Sequence, residues 1–249
     1  MIGLRTEGLS LGYDGSAVID GLDLDVRAGE LLVVAGASGC GKSTLLRALA
    51  GLLPSRAGTI RADGAPVHGP SPDRALMFQD DALLPWRTAR RNVELPLAIR
   101  GVPRAQRRTR ADEWLARVGL TGHEHRLPGQ LSGGMRQRVQ LARTLAGQPR
   151  AVFMDEPFGA LDAQTRAAMQ RLLIGVLSAT PATVVFVTHD VDEALLLGDR
   201  VAVLTPGGIQ ELLDVPYPRD PAARDAVEVA AARTRILAAL EAQPCRSRP

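Results

Sequence analysis

The chain has 249 residues, 45% hydrophobic and 23% charged, with a formal net charge of +3. This balance suits a soluble globular protein of one large domain or two small ones, and no apolar stretch is long enough to span a membrane. The modest charge gives no electrostatic footprint for nucleic acid, two cysteines (Cys40 and Cys245) make no disulfide framework, and no charged-then-apolar signal segment follows Met1, so a cytoplasmic protein without a nucleic-acid partner is expected.

Residues 4–26 read as short strands with turns at Asp14-Gly15-Ser16 and Ala28-Gly29. The alternation Leu22-Asp23-Leu24-Asp25-Val26 gives a sheet with one solvated face. Tyr13 ends a strand ahead of a glycine loop; aromatics are only 3% of the chain, so an exposed tyrosine here is a candidate platform for a purine ring. Leu31 to Ala35 is an apolar run of the kind a buried parallel strand gives. Gly36-Ala37-Ser38-Gly39-Cys40-Gly41-Lys42-Ser43 follows and fits the pattern G-x-x-x-x-G-K-S/T, and Leu45, Leu46 and Leu49 then repeat at helical spacing.

Strand, glycine loop and helix are in the order a phosphate cradle needs. The glycines let successive amides turn inward around an anion, and the helix start adds partial positive charge. Residues 36–43 with Thr44 are therefore the candidate nucleotide-phosphate site. Lys42 can reach the β and γ phosphates, and the Ser43 hydroxyl can ligate Mg²⁺. Lys42 is also the only lysine in the chain, all its other strong cations being arginine. A compact point charge is thus kept where it must fit beside phosphate. Cys40 lies beside the helix amides and Lys42, an environment that lowers a thiol's pKa, so a reactive thiol that nucleotide protects is expected.

Residues 58–67 look like a hairpin turning at Asp63-Gly64, and Arg74 to Phe78 is a short strand ending at Gln79. A loop from Asp80 to Trp86 leads into a helical pattern over Thr88–Leu120, broken around Gly101-Val102-Pro103. Arginine is dense there, at Arg87, Arg90, Arg91, Arg100, Arg104, Arg107, Arg108, Arg110 and Arg117. A solvated helical face is favoured over a face near anionic lipid. Trp114, between helical apolar neighbours, is expected in the core. His123 and His125 flank Glu124, but two histidines without further ligands point to a surface loop rather than a metal site. Ser132 reads as the N-cap of a helix running to Ala146, and Gly133-Gly134 leave its first amides bare. Two glycines are a poor choice there for stability alone, which marks a second anion-binding helix end.

Ala151 to Asp155 with Glu156 is a buried strand ending in two carboxylates, followed by the loop Pro157–Asp162 and a helix over 164–178. Thr183–Thr188 is a further apolar strand ending at His189-Asp190. A helix over Val191–Leu197, a strand over Arg200–Leu204, a tail rich in proline and arginine, and an alanine-rich helix from Pro221 to Ala242 complete the chain. The loop at Gly36, Gln79, the pair Asp155-Glu156 and His189 all follow predicted parallel strands, at the edge where open α/β sheets bind ligands. Asp155 can hold Mg²⁺, Glu156 can polarise a water, Gln79 can orient that water or contact Mg²⁺, and His189 can donate to a γ-phosphate. The expected outcome is hydrolysis of a nucleoside triphosphate.

Over residues 2–215 the chain resembles the ATP-binding subunits of ABC transporters. The resemblance rests on the loop at 36–43, Gln79, Leu131-Ser132-Gly133-Gly134, Asp155-Glu156, Ala160-Leu161-Asp162 and His189, in the family's order. It implies an α/β fold with a P-loop NTPase (RecA-like) core, an antiparallel β subdomain and an inserted helical subdomain at about 84–145, within a cassette of 1–215. The tail, 216–249, would add a helix and no separate regulatory domain. Tyr13 stands where the family places its adenine-stacking aromatic. The family also implies a head-to-tail homodimer that holds ATP and Mg²⁺ between one copy's phosphate loop and the other's Ser132-Gly133-Gly134, with Asp162 at the same interface. Transmembrane permease subunits would be direct partners on the cytoplasmic face of the membrane, and an extracytoplasmic solute-binding protein an indirect one.

Met135 departs from the commoner glutamine. Ser-Gly-Gly-Met, Leu83-Leu84-Pro85-Trp86 and Asp155-Glu156-Pro157-Phe158 resemble importers of nitrate, taurine and alkanesulfonates, with thiamine-precursor and riboflavin-type importers sharing parts of the pattern. Other classes fit less well. A GTPase needs a second lysine to read guanine, and only 52 residues separate Gln79 from Ser132, too few for the coiled-coil insertion of chromosome-structuring relatives. Translation-factor relatives usually carry two cassettes, and this chain has one.

Overall fold

The computed structural model describes residues 1–13, 16–206 and 208–241. The turn expected at Asp14-Gly15, Cys245 and the expected helix end at Ala242 lie outside them. Strands β1 (Leu4–Tyr13) and β2 (Ser16–Val26) pair antiparallel, and β3 (Leu31–Ala35) leads through the glycine loop to helix α1 (Lys42–Leu49). The hairpin β4 (Ala57–Ala62) and β5 (Ala65–Pro66) precedes β6 (Arg74–Met77), and then come the helices α2 (Ala89–Ile99), α3 (Arg104–Arg117) and α4 (Gly133–Ala146). The second half alternates as β7 (Ala151–Asp155), α5 (Ala163–Ala179), β8 (Thr183–Thr188), α6 (Val191–Leu197) and β9 (Arg200–Thr205), and closes with β10 (Gly208–Asp214) and α7 (Val227–Glu241).

The strands form a four-stranded antiparallel sheet, ordered β2-β1-β4-β5, and a six-stranded sheet, ordered β10-β9-β3-β8-β7-β6. Five of the six are parallel, and β10 runs antiparallel to β9. Every residue of β3, β7, β8 and β9 is buried, as continuous apolar runs require when both faces are covered. The strand period of two then sorts the core. Val33, Met154, Phe186 and Val203 face one hydrophobic cluster with α2–α7, while Val34, Phe153, Val187 and Leu204 face another with α1 and the antiparallel sheet.

Two parts of the tail differ from expectation. The strand β10 differs from expectation because its burial alternates but its residues do not: Glu211 takes an inward position between Ile209 and Leu213, and Leu212 an exposed one. The tail helix does not run unbroken from Pro221. Residues Pro221–Asp225 form a short 3₁₀ turn capped by Asp220, Ala226 is extended, and α7 begins at Val227. Its Val229, Ala232, Ile236 and Ala239 then pack into the α2–α7 side of the core. Trp114 is buried as expected, with the Arg117 guanidinium 4.8 Å from its ring centroid. None of the arginines from Arg87 to Arg117 is buried, and Arg91, Arg104, Arg108, Arg110 and Arg117 are exposed to solvent; Arg100 bonds the carbonyls of Pro72, Gly147 and Gln148, and six of the others line one groove beside Trp86.

Candidate active site

Strand register puts the polar residues on one edge. Ala35 pairs with Thr188, Asp155 with Val187, and Met77 with Met154, so β3, β8, β7 and β6 all finish together. Gly36, His189, Glu156 and Gln79 emerge from those ends.

The glycine loop is closely fitted. A Cβ on Gly36 would stand 2.6 Å from the Leu204 carbonyl oxygen, and one on Gly41 would stand 2.8 Å from Ile19. Gly41 has φ 103 and is the N-cap of α1, which has no side-chain cap bond and no acidic residue in its first turn. Ala37, Ser38 and Gly39 form an exposed rim, and Cys40 to Lys42 lie buried beneath it. Lys42 is 5% exposed; its Nζ donates to the carbonyls of Gly36 at 2.8 Å and Ala37 at 2.9 Å. Thr44 is buried on the first turn of α1. Cys40 corrects the expectation of a reactive thiol. It is 2% exposed and packs with Val34, Leu45 and Val187 in the core under the loop, because Gly36 leaves room for sulfur there.

Behind the loop the polar groups meet. Ser43 Oγ donates to Asp155 Oδ1 at 2.9 Å. Burial pushes the Asp155 carboxyl above its usual range and the neighbouring Glu156 adds to this, against the Ser43 bond, Arg47 and Lys42. Glu156 stands between two partners, with Oε1 3.6 Å from Lys42 Nζ and Oε2 2.9 Å from His189 Nδ1. Its φ of 42 is the left-handed region that a non-glycine residue adopts at a cost, and such strain gathers at functional sites. His189 stays open to solvent, its side chain 58% exposed.

Gln79 is exposed at the end of β6. The backbone on either side of it is bonded by Gln140 of α4, a residue that sequence reasoning passed over; its only signal was a glutamine among the apolar neighbours Val139, Leu141 and Ala142. Tyr13 is 42% exposed, and its hydroxyl accepts a bond from Arg47 of α1 at 3.4 Å.

The remaining candidates form a separate group. Ser132 caps α4, its Oγ accepting from the Met135 amide at 3.3 Å. A Cβ on Gly134 would stand 3.0 Å from Thr165, whereas one on Gly133 would meet only the Arg136 guanidinium, at 4.0 Å. Asp162 caps α5 and accepts from the Thr165 amide at 3.0 Å, a bond that holds its carboxyl below the usual range. Among the described residues, no hydrogen bond or ion pair joins Ser132, Gly133, Gly134 or Asp162 to residues 36–44.

The donors fit a hard cation. Ser43, Asp155 and Gln79 offer only oxygen, and no cluster of three or more His, Cys, Asp or Glu ligands occurs among the described residues. Mg²⁺ suits such a site, since it takes one or two protein oxygens and completes its shell with water and phosphate.

The family model for ABC transporters matches residues 19–159. A putative ATP-binding protein of Brucella abortus is 47% identical over 228 residues, 90% of this chain and 88% of the relative. The taurine import ATP-binding protein of Yersinia pestis is 47% identical over 82% of this chain and 80% of its own length. Its counterpart in Chromobacterium violaceum is 45% identical over 98% and 97%. A solved dimeric ATP-binding cassette, in a post-hydrolysis state bound to ADP and Pi, superposes with a TM-score of 0.77 at 30% identity, covering 86% of this chain and 99% of that one.

Proposed function

The chain belongs to the ABC transporter family as the ATP-binding, ATP-hydrolysing subunit of an importer, and from that premise we propose that it powers uptake of taurine or a similar small oxyanion, a sulfonate or nitrate, through a separate permease. The convergence of the 36–43 loop, Asp155-Glu156 and His189 on one sheet edge carries this reading. The taurine importers among its relatives suggest the solute.

In this reading the amides of residues 36–44 and the bare start of α1 receive the phosphates. The Lys42 ammonium leaves the Gly36 and Ala37 carbonyls for the β and γ oxygens, which frees Glu156 Oε1. Glu156 takes the proton of the attacking water, and His189, whose Nδ1 bonds the other carboxylate oxygen in this structure, turns its N–H to the γ-phosphate once nucleotide is bound. Ser43, Asp155 and Gln79 would hold Mg²⁺, which neutralises charge on the β and γ oxygens. Tyr13 stacks on adenine. Ser132, Gly133 and Gly134 serve the nucleotide of a second copy, with Asp162 at the same interface, in a head-to-tail homodimer. Their separation from the loop within one chain fits that arrangement.

The cassette would span 1–215, with a helical subdomain at 84–145 and a tail at 216–249. The permease would meet the helical subdomain at Trp86, which is 72% exposed while Leu83 is tucked into the core. The groove beside Trp86 holds six arginines against Glu94 and suits an acidic permease segment. As the ATP-hydrolysing partner of a permease, the protein would sit peripherally on the cytoplasmic face; no helix among the described residues is long and apolar enough to cross a membrane. A solute-binding protein outside the membrane would be an indirect partner. Proteoliposomes containing this chain and its permease, supplied with the solute-binding protein, should take up taurine with ATP, and Lys42→Ala should abolish ATP binding and uptake together. ATP hydrolysis without uptake of any sulfonate or nitrate would overturn the choice of solute.

A further inference from the structure

The segment that carries Gln79 is held from one face of α4. Gln140 is 1% exposed, and its Nε2 donates to the two carbonyls flanking Gln79, Phe78 O at 2.8 Å and Asp80 O at 2.9 Å. One turn toward the start of α4, Arg136 Nε donates to Asp81 Oδ2 at 2.7 Å. One turn the other way, Arg143 donates to Ala82 O at 2.7 Å and Asp81 O at 3.1 Å. Positions 136, 140 and 143 share a helix face, so consecutive residues of the loop are bonded by one rigid element. The loop needs this restraint, since Ala82 has φ 43, a conformation that alanine adopts only when its surroundings impose it. The other end of the Gln140 amide marks its purpose. Oε1 is buried with no hydrogen-bond partner among the described residues, so the two donated bonds are what this side chain supplies.

We infer that Gln140 is a positioning residue for Gln79, and that through it α4 ties the Gln79 loop to the Ser132–Gly134 end of the same helix. Phe78 O lies in the peptide plane that enters Gln79 and Asp80 O in the plane one residue beyond it, so the two bonds hold the backbone on either side of Gln79 and restrict the direction of its side chain. A shift of α4 when Ser132–Gly134 engage the second copy's nucleotide would then move Gln79 directly. This rests on the proposed role of Gln79 at the Mg²⁺ and water site.

The test is a double-mutant cycle on the full chain with its permease. Gln140→Met keeps the volume and removes both donors. It should lower kcat for ATP about tenfold, because small misplacements of a reacting group carry losses of up to about 10²-fold, while KM for ATP and the melting temperature hold. In a Gln79→Ala background the same change should cost nothing further. Equal losses in both backgrounds would overturn the inference while leaving the reading of Gln79 intact. A Gln79→Ala protein with normal kcat would instead remove that reading, and the inference with it. If Gln140→Met does not fold, the partly exposed Asp81–Arg136 pair carries the test. Asp81→Arg and Arg136→Asp should each slow turnover, and the double variant should recover at least part of it; no recovery would overturn the tie between α4 and the loop.

Discussion

Helix α1 begins behind Gly41 with no side-chain cap, whereas α4 begins behind Ser132, whose hydroxyl bonds the Met135 amide. The α1 end is buried, and the Lys42 ammonium rests on its loop carbonyls; the α4 end lies open, with Ser132 and Gly133 exposed. Omitting a cap costs about 1 kcal/mol, and more where water cannot reach the amides. That cost is sustained where an anion completes the helix end. In the proposed reading the first cradle is built within one chain, from β3, α1 and the carboxylates of Asp155 and Glu156, and the second would be half a site, capped by Ser132 with Gly133 exposed beside it.

The contrast is broken most sharply at Glu156. Glu156→Gln should cut ATP hydrolysis by about 10²–10⁴-fold, the range of a lost general base, while ATP affinity persists. Size-exclusion chromatography with ATP should show the dimer accumulating. Near-normal turnover would remove Glu156 from that role. A smaller effect is expected at Trp86, where the permease is proposed to dock. Trp86→Ala should weaken permease association by about 2 kcal/mol or more, as truncation of an interface tryptophan does, with ATP affinity and melting unchanged. A variant that assembles and transports normally would place the permease elsewhere.

Glu193 sharpens the α1 side, because it lies in the first turn of α6 just behind His189. Burial pushes its carboxyl above the ordinary 4.5, and Asp190 adds to this, against bonds from Thr188 and Gln170. With the folded-state pKa above the unfolded one, folding favours the protonated form. The group costs stability where it is ionised and nothing below about pH 4.5. Glu193→Gln should therefore raise Tm at pH 8 by about 2–4 °C, roughly 1 kcal/mol at this chain length, with the gain vanishing toward pH 4.5. A gain that does not depend on pH would contradict this. The smallest effect concerns Cys40. In a Cys245→Ser protein, maleimide should leave native Cys40 unlabelled with or without MgATP and label it in denaturant. Rapid native labelling blocked by MgATP would restore the accessible thiol.

What was legible in the sequence was chemistry fixed by neighbours along the chain. The runs 31–35, 151–155 and 183–188 are long enough and apolar enough to be buried strands, and their parallel alignment alone brings Gly36, Glu156 and His189 to one edge. What escaped depends on contacts far apart in sequence. The Cys40 thiol turns inward because Leu204 and Gly36 shape the space beneath the loop. The edge strand β10 puts Glu211 on its inner side and Leu212 on its outer side, so no apolar alternation marks it in the sequence. Gln140 looks like a misplaced polar residue until the Phe78 and Asp80 carbonyls, some sixty positions away, are seen beside it.

The composite site is tested most directly by mixing two inactive proteins. Lys42→Ala disables the loop, and Gly133→Asp puts a negative charge at the α4 end, where a side chain meets only the Arg136 guanidinium and the fold should survive. Each variant alone, assembled with the permease, should lack ATPase activity. Co-assembled, they form mixed dimers in which the intact loop of one copy faces the intact Ser132–Gly134 of the other. Recovered ATPase activity in the mixture is the expected result, and a mixture as inactive as its parents would contradict a site shared between two copies.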